Sequence, residues 1–218
     1  MEAPSSHAFL ESALRKLLLP NMPARPFICS ESPFDCQIAI VGINPATTTP
    51  FWKYWSEEQG FNRAGWIADY KANPANRRNQ TRPRIERLVQ GLDPLRVIEL
   101  NAYPYATPNE QALTTEMRDI RVFELMLRVA KPSLVFTFGN GPSRELGKIL
   151  DIPNLAKGEY TDCAFGDHSF AAIAESHLSR GWSYARVEEL AKSIKQRLCG
   201  QAANPLLGLP RKSSNGSL

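Results

Sequence analysis

Apolar positions along the chain follow two rhythms. Four short runs, residues 37–43, 96–100, 133–138 and 169–174, are predominantly apolar, rich in β-branched or aromatic side chains, and bounded by turn residues. A strand buried on both faces of a sheet has this pattern. Elsewhere apolar residues recur every three or four positions. One such set is Phe9, Leu10, Ala13, Leu14, Leu17 and Leu18; another is Ile85, Leu88, Val89 and Leu92. Met117, Ile120, Phe123 and Leu127 form a third, and Val187, Leu190, Ala191, Ile194 and Leu198 a fourth. That spacing places each set on one face of a helix. Strands alternating with helices predict an α/β fold, a three-layer α/β/α sandwich around a central four-stranded parallel sheet. Residues 1–199 read as a single domain. Within it, residues 47–84 read as an insertion rich in aromatics (Phe51, Trp52, Tyr54, Trp55, Phe61, Trp66, Tyr70) and ending in arginines. Residues 200–218 lack periodicity and read as a disordered tail.

In a parallel sheet covered by helices, ligands bind beyond the carboxyl ends of the strands. Here those ends are Gly42-Ile43-Asn44-Pro45, Leu100-Asn101-Ala102-Tyr103-Pro104, Phe138-Gly139-Asn140-Gly141-Pro142 and Ser176-His177-Leu178-Ser179-Arg180. All four are polar or rich in Gly and Pro, and the topology should bring them to one edge. Gly42 allows close backbone approach, and Pro45 ends the ladder. Asn44 then presents a donor and an acceptor at the rim. Such an amide can position a water or read a base edge, but it has no proton affinity for general-base work. A plain turn cap is the structural alternative.

Composition narrows the classes without choosing among them. The 218 residues carry a net charge of +4, with 43% apolar and 22% charged positions. That mild positive charge permits a polyanionic partner without demanding one. No apolar stretch approaches the ~18 residues of a membrane span. The first residues lack the basic and apolar regions of a secretory signal, so a cytoplasmic, monomeric protein is expected. Cys29, Cys36, Cys163 and Cys199 show no C-x-x-C pairing and read as separate thiols rather than a four-cysteine iron–sulfur site. No metal-ligand spacing appears, and no cofactor is expected. Gly139-x-Gly141 lacks the third glycine and acidic partner of a dinucleotide site.

Several motifs carry a resemblance. Gly42-Ile43-Asn44-Pro45 resembles the first motif of the mismatch-specific and thymine-DNA glycosylase branch of the uracil-DNA glycosylase superfamily, Gly-Ile-Asn-Pro-Gly. Phe51-Trp52-Lys53 resembles the Phe-Trp-Lys that follows in that branch. Glu175-Ser176-His177-Leu178-Ser179-Arg180 resembles the second superfamily motif, commonly His-Pro-Ser-Pro. Leu100-Asn101-Ala102 is similar to the strand end whose Asn reads the uracil edge, and residues 138–143 to the strand–Gly–helix turn. The order and spacing agree across residues 37–198. Ala46 stands where the branch has Gly, and Leu178 where the second motif has Pro. An Asn first motif with a His second motif combines two branches.

The resemblance implies a monofunctional DNA glycosylase that flips a base and hydrolyses its N-glycosidic bond, leaving an abasic site. Asn44 would position the attacking water. His177 would donate a hydrogen bond to the pyrimidine O2 as negative charge develops. Asn101 would read the base edge, beside Ile43, with Phe51 or Trp52 (or Trp55) stacking on the base. Tyr103 and Tyr105 would suit sugar hydroxyls on a bulky base. Ser143, Gly141 and Ser179 would contact phosphates at a helix N-terminus and turn. Arg180 would enter the duplex gap or bind phosphate. The run Arg77, Arg78, Arg82, Arg84 and Arg87 would bind the DNA backbone, with a solvated charged face as the alternative. No Lys is placed by motif for lyase chemistry. Two substrate versions follow: uracil-type lesions in repair, or a hypermodified cytosine of invading phage DNA. A non-catalytic nucleic-acid-binding module and an unrelated nucleotide-binding α/β protein are the rival classes.

Overall fold

A computed structural model describes residues 6–153 and 155–202. The 200–218 segment falls mostly outside them; residues 200–202 continue the final helix. The chain opens with α1 (His7–Leu17), whose Leu10 and Leu14 are fully buried, followed by the short strand β1 (Phe27–Cys29). Then come β2 (Ile38–Gly42), the paired β3 (Trp55–Ser56) and β4 (Gly60–Phe61), α2 (Arg63–Ala72) and α3 (Thr81–Leu92). β5 (Val97–Asn101) and α4 (Arg121–Ala130) lead to β6 (Leu134–Phe138) and α5 (Asn140–Leu150). The hairpin β7 (Tyr160–Phe165) and β8 (His168–Glu175) precedes α6 (Tyr184–Ala202).

The central sheet has six strands, in the order β1-β5-β2-β6-β8-β7, rather than the expected four. The four expected strands are its parallel interior, and β1 and β7 add antiparallel edges. The extra strands escape a search for apolar runs for different reasons. β1 is three residues long. β7 is an edge strand with no fully buried side chain. Alternate residues of each interior strand face opposite cores. Ile38 and Ile40 pack with Ile85, Leu88, Leu92, Val187 and Ile194 of α3 and α6. Ala39 and Val41 pack with Leu10, Leu14, Phe123 and Leu146 on the other side. Burying a Leu or Ile side chain contributes roughly 1.5–3 kcal/mol. Two apolar faces therefore fix the strand register, because a one-residue slip would exchange the faces.

The aromatics of the 47–84 segment pack into the main body of the domain. Phe51, Trp55, Phe61 and Trp66 are buried in the same core as α1 and α4. Phe51 stacks on Phe61 at 5.2 Å and meets Phe27 edge-on at 4.9 Å. The helix expected from Met117 starts at Arg121, because Glu116–Arg118 forms a separate 3-10 turn.

Candidate functional site

Strand register builds the site. Asn101, Gly42, Phe138 and Glu175 occupy one row across β5, β2, β6 and β8 at their carboxyl ends. Asn101 and Phe138 both flank Gly42. A Cβ at Gly42 would lie 3.0 Å from Phe138 Cζ and 3.2 Å from Asn101 Oδ1. The absent side chain at position 42 therefore leaves the space between an amide and an aromatic ring. β5 and β8 stand three strand spacings apart, ~14 Å at ~4.8 Å each. The cleft above this row has a volume of about 840 Å³. That lies toward the upper end of the roughly 300–1,000 Å³ range of ligand sites.

Asn44 lies on the wall formed by the β2 end. Its Nδ2 donates to Thr107 Oγ1 (2.8 Å), Thr107 O (3.1 Å) and Pro45 O (3.2 Å). Two of these partners are carbonyls, which only accept, so the amide orientation is fixed, and Oδ1 has no partner among the described residues. Asn101 is buried, yet its side-chain amide makes no hydrogen bond to any described residue. Its donor and acceptor are both unspent.

His177 lines the opposite side, edge-on to Phe138 at 5.5 Å. The Ser179 backbone N–H donates to His177 Nδ1 at 3.2 Å, and Ser179 Oγ lies 2.7 Å from the same nitrogen. A backbone N–H can only donate, so Nδ1 accepts and the ring proton sits on Nε2. Nε2 has no partner among the described residues. Burial, helped by the Arg180 charge, lowers the His177 pKa below its ordinary value, so the ring is neutral at pH 7. Ser179 is thus committed to the histidine rather than free for a phosphate.

Gly139, at φ +96°, turns the chain from β6 into α5, a conformation that a side chain would strain. Gly139, Asn140, Gly141 and Pro142 bring the N-terminus of α5 to the cleft. Ile43 lines the cleft too, and a Cβ at Gly141 would fall 2.8 Å from its Cδ1. Arg180 is exposed at the rim, and Lys157 also lines the cleft.

Other expected residues lie elsewhere. Phe51 is 1% exposed and does not line the cleft; packing claimed it. Trp52 sits over Phe51, with the Arg15 guanidinium 4.0 Å above its ring. Trp55 is in the same core. Tyr103 and Tyr105 turn away into a satellite cluster with Leu113 and Met117, and Tyr105 Oη accepts from Leu19 N–H at 2.8 Å. Ser143 is buried, with its hydroxyl 2.8 Å from Thr137 Oγ1 and donating to Gly139 O. Two arginines of the basic run, Arg82 and Arg87, are ion-paired. Arg82 does line the cleft but is buried against Glu99 (2.6 Å), whereas Arg84 donates to Trp182 O and Gln80 O, and Arg87 pairs with Glu188. Arg78 is exposed and apart from the cleft.

The cleft also holds residues that pattern reading missed. Phe138 and Tyr70 are its aromatic side chains. Phe138 was legible as the aromatic end of a strand; Tyr70 lay hidden within α2. Glu110 is the one carboxylate lining the cleft among the described residues, held by Arg144 at 2.8 Å. Glu99, beneath Asn101 on the same strand face, is ion-paired with Arg82 and Arg63 (3.0 Å). Burial pushes its carboxyl up, but Arg82, Arg63 and Arg25 outweigh this and hold it below the ordinary range. Among the described residues, no helix is long and apolar enough to cross a membrane. The sequence matches no family model and no curated protein.

Proposed function

We propose that the protein is a DNA glycosylase that hydrolyses the N-glycosidic bond of a flipped pyrimidine. One observation carries this reading. A buried amide with no hydrogen-bond partner among the described residues, Asn101, lines the same cleft as a neutral histidine preset to donate from Nε2, His177. A carbonyl-rich heterocycle complements that pair. A wrong base leaves the buried amide unpaired, which costs affinity.

In the reaction, Asn101 reads the base edge and Phe138 gives it an aromatic face. The base leaves as an anion, and the His177 Nε2–H donates to the oxygen that gathers its charge. A donor that is already oriented needs no reorganisation in the transition state. Asn44 Oδ1 accepts from the attacking water, and Nδ2 is anchored by the Thr107 loop. Glu110 is the carboxylate available in the cleft to accept that water's proton. The α5 N-terminus, Lys157 and Arg180 favour an anionic strand across the mouth.

The cleft exceeds what one pyrimidine needs, so the assay includes bulky bases. Duplex and single-stranded oligonucleotides carrying uracil, mismatched thymine, or hydroxymethylated and glucosylated cytosine are incubated with the protein, then cleaved with alkali at abasic sites. Excision of at least one base, abolished by Asn44→Ala and weakened by His177→Gln, is the expected result. Intact strands on every substrate, with the folded protein bound to DNA, would leave a binding module instead.

A further inference from the structure

The arginines around Glu99 do not balance. Glu99 and Glu86 share Arg63 and Arg82 through contacts of 2.6–3.2 Å. A third arginine, Arg25, stands in the same cluster. Its guanidinium lies 5.3 Å from the Trp66 ring, over which Arg82 also sits at 5.1 Å. Arg25 makes no hydrogen bond or ion pair through its side chain with any described residue, although its backbone N–H donates to Pro104 O. Three cations therefore meet two carboxylates, and the excess charge is on Arg25, which lines the cleft beside the ion-paired Arg82.

A second observation lies beside it. Tyr70 stacks on Trp66 at 5.2 Å and lines the same cleft. It is 4% exposed, and its hydroxyl has no hydrogen-bond partner among the described residues. The buried Thr47 hydroxyl, which also lines the cleft, has no hydrogen-bond partner among the described residues either. Buried polar groups are nearly always satisfied, so a cluster of unspent donors around a free guanidinium marks a place for an acceptor. Arg25 presents a planar fork suited to two oxygens of one anionic group.

We propose that this end of the cleft, at Arg25 and Tyr70, is an anion subsite that receives a phosphate or carboxylate group of the substrate. It deepens the glycosylase reading by adding an anionic requirement at the end remote from His177. The group comes either from the polynucleotide backbone or from an acidic substituent on the base.

Binding of inorganic phosphate is measured by calorimetry on the wild type, Arg25→Gln, Arg25→Lys and, as control, Arg78→Gln. Loss of about tenfold or more in affinity is expected for Arg25→Gln, with Arg25→Lys intermediate and Arg78→Gln unchanged. The source is read with two further probes, neither requiring base excision. The first compares deoxyuridine with its 5-carboxylated form. The second compares a single-stranded oligonucleotide with its methylphosphonate analogue. An Arg25-dependent preference within either pair supports the subsite and names its source. Equal binding of every probe by the wild type and a folded Arg25→Gln overturns it. Phosphate binding at Arg25 in a protein that excises no base would defeat the glycosylase reading alone.

Discussion

Removing the Arg25 charge should make the protein more stable. Burial, with the Arg82 charge nearby, lowers the Arg25 pKa well below the ordinary arginine value, to about 10, although Glu99 and Tyr70 partly offset this. At about 1.4 kcal/mol per tenfold change in proton affinity, the charged form is disfavoured in the fold by at most ~3.5 kcal/mol. Arg25→Met keeps the length of the side chain and removes the charge. It also forfeits the contact with the Trp66 ring, worth roughly 0.5–1 kcal/mol. A net gain of about 1–2 kcal/mol is expected. For a chain of this size that raises the melting temperature by about 2–8 °C. Urea unfolding at pH 7 without added phosphate gives the free energy directly. The gain should be the same across the neutral range, since Arg25 is protonated in folded and unfolded chains below about pH 9. An Arg25→Met protein that is less stable than the wild type would refute the reasoning, because the guanidinium would then be a structural partner of Glu99. A gain that vanishes in phosphate would agree with it, since the anion stabilises only the wild type.

Three further outcomes follow from the site. His177→Gln should reduce base excision by about 10²–10³, the range for losing one preset donor to a developing anion. Because the folded-state pKa of His177 is lowered, the neutral donor persists below pH 6.5, and excision falls only at more acid pH. The unfolded chain takes up that proton first, so urea stability should decline as pH drops from about 6.5, with a shallower decline in His177→Gln. Glu99→Gln leaves Arg82 and Arg63 buried with Glu86 alone and should destabilise by about 3–5 kcal/mol, as a lower urea midpoint. Gly42→Ala places a methyl 3.0 Å from Phe138 and 3.2 Å from Asn101 Oδ1. It should slow excision of a base that must enter between Asn101 and Phe138, while circular dichroism and melting show an intact fold.

The sequence by itself determined the parallel interior of the sheet and the edge at which the site forms. The runs at 37–43, 96–100, 133–138 and 169–174 became β2, β5, β6 and β8, because burial on both faces demands continuous apolar side chains. Strand ends follow directly from such runs, so Asn44, Asn101, Gly141 and His177 were legible as cleft residues. β7 left one readable trace, the Gly166-Asp167 turn between Phe165 and His168, which pair across a hairpin. Only the tertiary structure decided which aromatics and arginines face the ligand. An aromatic side chain serves a core or a cleft equally well, and neighbours distant in sequence choose. Phe27 and Phe61 took Phe51 into the core, while the missing side chain at Gly42 left the otherwise buried Phe138 an edge on the cleft. The arginines divided in the same way. A run of basic residues suggests a surface for DNA, yet the buried Glu99 carboxylate drew Arg82 inward. Arg25, isolated in sequence, became the unpaired charge because charge balance is struck among neighbours in space.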